Sequence, residues 1–590
     1  MQTSKSKVAY PREPRIILLN AKVIKMDDKT NENPSFLVEK GIIYKWNERK
    51  SVYDFVAKDI RIKERLYAID DGTWYLTIEY KDPTKTIKEF TIAQDQIKRN
   101  ELLNYMGKGI DITEGNATDV RSFLNYSLRM FEIPIRNVHR SLGWLFVNGE
   151  RSNTYLLDEA IGGDIKSTYI GDVNLKPKGK VEDYINFLKE EISENPYLQF
   201  ALVLGLSAPI LSIVADDKDM ENLVVSLSGQ SSSGKSTALS LAMNSLGKAT
   251  VSDGIGSLIQ NWSGTENFMF KSISSQKLNG FPVCRDECGA NNVKNFNNFI
   301  YKFCMGQEKG RLNKDCTLQK TETFRSIMLS SGEVRIQDLM KEHTLGSSVV
   351  RLTEFNNLPW TDSALQADRI KRFLSRNYGT LGKEFIKYLC LYKEDEIIEL
   401  WYEYTDKLVP LLEPYVKQFA TRIASKYAIF MTTFYLVTGL LEVDWDEEKI
   451  IDILVDSAKD KEDEINLAKS AYNLIMDFVS ENSSHFYSFT GFSYNIKNRI
   501  DKNYSKTIYG KYNDSDITIS KIQLNRILAA HGFNNPKLVL MKLKEKGVLI
   551  VEKNGKRDGY YNRRTIDEAH EISVVVLKKN MIFDDEKKIE

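Results

Sequence analysis

Cysteine and histidine are scarce in this sequence, with five of each in 590 residues. The cysteines, Cys284, Cys288, Cys304, Cys316 and Cys390, are too few and too clustered for the disulfide framework of a secreted protein, and the reducing cytoplasm is the compartment they suit. Metal-site spacing is missing too. Three residues separate Cys284 from Cys288 and no histidine lies near them in sequence, so they read as ordinary reduced thiols. His139, His343, His485, His531 and His570 are scattered and form no nucleophile or metal constellation. An excess of one charge is also lacking. Lys plus Arg total 82 against 81 for Asp plus Glu, a net charge of +1, so there is no global cationic field and any nucleic-acid site must be a local patch. No apolar run approaches the ~18 residues of a membrane helix, and residues 1–15 are polar and basic without an apolar segment. The expectation is a cytoplasmic protein that neither spans a membrane nor is exported.

What is present is the length for several folded units and an ordinary globular composition, 42% hydrophobic and 28% charged. Residues 1–15 read as a flexible basic arm. Short strand-like runs such as Trp74-Tyr75-Leu76-Thr77-Ile78 alternate with turn residues and predict an N-terminal α/β domain over 16–130. Frequent glycine and proline, among them Gly143, Gly149, Gly162, Gly163 and Pro177, predict a loop-rich connector over 131–180. An ATPase core is expected over 181–364, then a helical lid and linker over 365–480, where apolar residues recur at three- and four-residue spacing. Over 481–590 two helices, 520–530 and 536–546, precede two short strands around Asn554-Gly555-Lys556, the order of a winged helix-turn-helix.

The sharpest motif is Gly229-Gln230-Ser231-Ser232-Ser233-Gly234-Lys235-Ser236, followed by Thr237. It lies between the apolar run Leu223-Val224-Val225-Ser226-Leu227-Ser228 and a helical pattern beginning near Lys235. Phosphates need many donors close together, and the two glycines let backbone amides wrap them without Cβ clashes. Lys235 is expected to reach the β and γ phosphates of ATP, Ser236 to hold Mg2+, and the helix start to add its positive end. About fifty residues on, Phe281-Pro282-Val283-Cys284-Arg285-Asp286-Glu287 supplies the acids such a site needs. Asp286 is assigned to Mg2+, mainly through water, and Glu287 to the attacking water. The run Phe324 to Glu333 reads as a third buried strand ending in hydroxyls, with Ser330 or Ser331 sensing the γ phosphate. Positive charge must also reach that phosphate in the transition state, often from a neighbouring subunit. Arg351 is the preferred arginine, Arg335 the second, with Arg369 or Arg372 in the lid as a sensor in cis.

Together these residues resemble a family. Gly143-Trp144, Ala208-Pro209-Ile210-Leu211, the loop from Ser228 to Thr237, Asp286-Glu287, Ser330-Ser331-Gly332-Glu333 and Asn377-Tyr378-Gly379-Thr380-Leu381-Gly382 look like the domain of unknown function 927, over roughly residues 130–390. The whole chain is similar to the replicative helicases of staphylococcal cassette chromosome elements. That resemblance implies an AAA+ P-loop core like that of the minichromosome maintenance helicases. It also implies a homohexameric ring that uses ATP and Mg2+ to move on single-stranded and forked DNA, with a primase or polymerase of the same element as a further partner. In such rings a basic hairpin before the sensor strand enters the pore, and Lys309, Arg311, Lys314 and Lys320 occupy that position. Lys556 and Arg557, within a basic cluster interleaved with Tyr560 and Tyr561, suit phosphate contact and base stacking by the C-terminal unit.

Overall fold

A computed structural model describes residues 34–579 apart from 219, 252–255, 275–277, 294–295, 308–322, 341–349, 462–466, 489–506, 532, 534–535, 552–559 and 566–570. The chain divides into two compact units, the first taking residues up to 141 with 145–171, the second 142–144 with everything from 172 onward.

In the first unit β1 (Phe36–Glu39), β2 (Ile42–Asn47) and β3 (Val52–Lys58) form an antiparallel sheet. A meander follows in β4 (Ile60–Ala68), β5 (Trp74–Lys81) and β6 (Ile87–Ala93). Helix Ala117–Met130 then buries Ala117, Val120, Phe123, Leu124 and Ser127, one helical stripe, within a core shared with Ile43, Ala57, Leu76 and Ile78. The stretch read as a loop-rich connector carries five short strands among its loops: β7 (Ile135–His139), β8 (Gly143–Val147), β9 (Glu150–Leu156), β10 (Ala160–Ile161) and β11 (Thr168–Tyr169). β7 runs parallel to β4, and β11 parallel to β7, extending the meander to the order β11-β7-β4-β5-β6.

The second unit is organised on five parallel strands: β12 (Leu223–Ser228), β13 (Ile259–Asn261), β14 (Val283–Asp286), β15 (Ile327–Gly332) and β16 (Leu352–Asn356), in the order β13-β14-β15-β12-β16. Every residue of β12 is buried, which is why it reads as an apolar run without alternation. The order puts β15 between the strand leading into the Gly-rich loop and the strand carrying Asp286. β16 is an edge strand whose outward carbonyls are capped by side chains from the helices that follow. Lys426 Nζ donates to Val350 O at 2.6 Å, Lys461 Nζ to Leu352 O at 2.6 Å, and Ser457 Oγ to Glu354 O at 2.9 Å. Donors at every second residue close an edge that would otherwise be a template for pairing.

Those helices include Glu394–Val416 and Ala420–Leu441. Among the described residues this stretch is long and apolar enough to cross a membrane, contrary to the expectation from the sequence, and the bent pair Pro196–Leu206 and Ala208–Asp217 passes the same test together. Of the apolar window in Glu394–Leu441, 72% is buried inside the protein, as in a core helix hairpin.

Helix Leu467–Glu481, expected to be part of the linker, packs through Ala468, Ala471, Tyr472, Ile475 and Val479 into the C-terminal core with Leu524, Leu540 and Val575. The sequence marks that boundary only by the charged run Lys459-Asp460-Lys461-Glu462-Asp463-Glu464. The core also holds helices Lys521–Ala530 and Pro536–Glu545. They sit with β17 (Phe486–Ser488), β18 (Gly510–Tyr512), β19 (Asp516–Ser520), β20 (Leu549–Ile550), β21 (Asn562–Thr565) and β22 (Glu571–Lys578). Ser520 caps the first of these helices by accepting from the Gln523 amide at 3.2 Å.

Candidate nucleotide site

The Gly-rich loop joins the end of β12 to helix Lys235–Asn244. Gly229 has φ +139° and Gly234 φ +88°, conformations L side chains rarely adopt, and a Cβ on either would press on the segment that follows β16: Asn357 against Gly229, Thr361 against Gly234. That segment is tied to the loop, since Asn357 N donates to Ser228 O at 2.8 Å and Trp360 N to Ser233 O at 3.0 Å. Gln230, Ser231 and Ser232 are exposed at the loop's crown, with Ser232 held at φ +67°, while Ser233 and Ser236 are half-buried and Thr237 is buried. Lys235 lies inside the loop. Its ammonium donates to Gly229 O at 2.9 Å and Gln230 O at 2.6 Å.

Asp286 ends β14, accepts a hydrogen bond from the Ser331 hydroxyl of β15, and is buried. Glu287 follows in the left-handed region at φ +62°, exposed, its amide donating to Ser331 Oγ at 3.4 Å. Ser330 is fully buried and accepts from Trp262 Nε1 at 2.9 Å, so the two hydroxyls divide the work: Ser331 holds the acid strand and Ser330 is held by an indole from the neighbouring β-strand region. Arg285 is buried beside them. It donates to Gln260 Oε1 and, at 2.9 Å, to Ser272 Oγ, and burial pushes its pKa down to about 10. Burial pushes the Cys284 thiol well up, in keeping with an inert thiol.

The preferred arginine lies away from this chain's own loop. β16 pairs Val224 with Leu352 and Ser228 with Asn356, so Arg351 precedes the amino end of the strand, about 16 Å along the sheet from the loop by strand rise. There it donates to Glu221 Oε1 at 2.7 Å and lies 4.5 Å over the Tyr301 ring, anchored within its own subunit. Arg335 follows β15 on the loop's side of the sheet, with its guanidinium donating to Asp338 at 2.7 and 3.0 Å. Arg369 makes a two-pronged pair with Glu191 at 2.7 and 2.9 Å, and Arg372 is exposed. Lys309, Arg311, Lys314, Lys320, Lys556 and Arg557 lie outside the described residues.

The sequence reading missed Trp262, Asn356 and Glu333. Asn356 accepts from Ser228 Oγ and donates to Asp460 Oδ2 at 3.1 Å, while Glu333 accepts from Ser231 Oγ. Only Glu333, which follows Ser330-Ser331-Gly332 in the motif, was within reach of motif reasoning; Trp262 and Asn356 carry no spacing signal.

Residues 36–323 match the domain of unknown function 927. That stretch, just under half of the chain, is similar to that family. The match begins far upstream of the expected residue 130, so it takes in most of the first unit, and it stops at 323, before β15. Residues 466–580 match the Cch helix-turn-helix domain, which agrees with the C-terminal core beginning at helix Leu467–Glu481. Among solved structures, the active helicase Cch of SCCmec type IV is similar at a TM-score of 0.68 and 22% identity, covering 93% of this chain and 98% of that one. At that identity the likeness establishes a shared fold. No curated protein matches the sequence.

Proposed function

We propose that this chain is an ATP-driven DNA helicase of a mobile genetic element, built on an AAA+ P-loop core. The observation that carries the reading is the placing of Ser330 and Ser331 on the strand between the Gly-rich loop and Asp286, with Ser331 bonded to that acid. A phosphate cradle, an acid pair and an intervening polar strand are the parts a γ-phosphoryl transfer to water needs. The hydroxyl of Ser236 and the carboxylate of Asp286 are hard oxygen donors suited to Mg2+, which takes few protein ligands and keeps substrate phosphates and water. Bound there, Mg2+ would neutralise charge on the phosphates. Lys235 would bind the β and γ phosphates, the loop amides would orient them, and Glu287 would orient or deprotonate the attacking water. We take Arg335, on the loop's side of the sheet, as the arginine offered to a neighbouring subunit, and a homohexameric ring is the assembly of this reading.

Similarity to an active helicase over nearly the full length supports unwinding as the use of this hydrolysis, and the helix-turn-helix domain supports DNA as its partner. In this reading the C-terminal unit is a winged helix that holds DNA, with Lys521 at 4.3 Å over the Tyr561 ring and Lys544 at 5.8 Å over Tyr560 supplying cations for phosphate contact. The test is hydrolysis measured with and without single-stranded DNA. Stimulation by DNA that disappears in Lys235→Ala supports the proposal. Hydrolysis indifferent to DNA points to a protein-remodelling ATPase instead.

A further inference from the structure

Glu333 is exposed, yet its carboxylate is not idle: it accepts from the hydroxyl of Ser231 at the crown of the phosphate loop. The turn that carries it is fixed on its other side to the acid strand. Cys288 Sγ, one residue past Glu287, donates to Val334 O at 3.1 Å, and a side chain at Gly332 would collide with that sulfur. Two residues on from Glu333 stands Arg335. One short turn therefore touches the phosphate loop, the residue after the catalytic acid pair, and the arginine offered to a neighbouring site.

We infer that Glu333 is a positioning residue of the nucleotide site, whose carboxylate holds Ser231 until a terminal phosphate displaces it, and whose displacement shifts the turn bearing Arg335. The reason is electrostatic. A phosphate in the loop competes for the same hydroxyl and brings negative charge up to a carboxylate, and like charges that close disfavour each other. ATP, with its third phosphate, meets that carboxylate more directly than ADP does, so the contact discriminates between the two and passes the difference to Arg335.

The inference rests on the reading of the loop as an ATP site, and the experiment separates the two. A fluorescent non-hydrolysable ATP analogue and fluorescent ADP are titrated into the full-length wild type, Glu333→Gln, Glu333→Asp and Lys235→Ala. Hydrogen exchange of residues 335–339 is followed with and without the analogue. Glu333→Gln is expected to tighten the ATP analogue by about fivefold, the scale of one exposed charge interaction, while leaving ADP unchanged. It should also abolish the analogue's effect on exchange at 335–339, and Glu333→Asp should keep the wild-type preference. Equal shifts for both nucleotides, or no response of 335–339 in wild type, overturn the inference alone, provided wild type binds and Lys235→Ala does not. If wild type binds neither nucleotide, the ATP reading itself falls.

Discussion

Lys426→Met should leave stability at pH 7 nearly unchanged while removing a gain in stability that the wild type shows in alkaline solution. The Lys426 ammonium is buried on helix Ala420–Leu441 and donates to Val350 O at 2.6 Å, the first of the capped carbonyls along β16. Burial pushes its pKa from 10.5 down to about 8. Cys304 and Glu221 oppose that shift, and Arg422 and Arg351 add to it. Such a depression corresponds to about 3 kcal/mol spent keeping the charge out of water at neutral pH. The sign follows from proton binding. The unfolded chain keeps this proton up to about pH 10.5 and the folded chain loses it near 8, so between those values stability rises with pH, by about 2 kcal/mol from pH 7 to 9.5. Methionine removes the charge but leaves the Val350 carbonyl without its donor, a loss of about 1–3 kcal/mol that offsets the gain at pH 7. Hydrogen-exchange protection of the helix, corrected for intrinsic rates, reads the difference between variant and wild type at each pH. Parallel pH profiles for the two proteins would refute the reasoning, because they would mean the amine is hydrated rather than sealed against the sheet edge.

Trp262→Phe leaves Ser330 without its indole donor, and kcat for ATP should fall about tenfold while KM hardly moves, measured by steady-state phosphate release. Arg335→Ala should lower hydrolysis about 100-fold in the assembled protein, whereas Arg351→Ala should retain it and instead lose about 1–3 kcal/mol of stability from breaking the Glu221 pair. Salt titrations of DNA binding should show Lys544→Ala weakening affinity for all sequences alike and reducing the salt slope by about 1. Glu287→Gln should bind ATP but hydrolyse it at least about 100-fold more slowly, checked by trapping the unhydrolysed nucleotide.

How much of this was legible in the sequence depended on how local each feature is. The loop from Gly229 to Thr237 could be read because its chemistry fits within nine residues and is bracketed by a buried strand and a helix. Ser330 and Ser331 stood out because they end the apolar run Ile327-Met328-Leu329, and Asp286 because it ends a short strand about fifty residues past the loop. The capping of β16 could not, since Lys426 and Lys461 lie 76 and 109 residues from the carbonyls they satisfy. Nor could the position of Arg351, because a sequence does not show that β16 runs parallel to β12 and so leaves this arginine at the far end of the sheet. Of the strands over 135–169, β10 and β11 were hidden by brevity, since two residues each are too few for alternation to register among the glycines.

The central claim, that hydrolysis at this loop drives strand separation, is tested most directly by displacement of a labelled strand from forked DNA with Mg2+ and ATP. Wild type, Lys235→Ala and Glu287→Gln are compared, with phosphate release followed in the same reactions. The account predicts displacement by the wild type and its loss in both variants together with hydrolysis. Hydrolysis by the wild type without displacement on forks bearing either tail would contradict it.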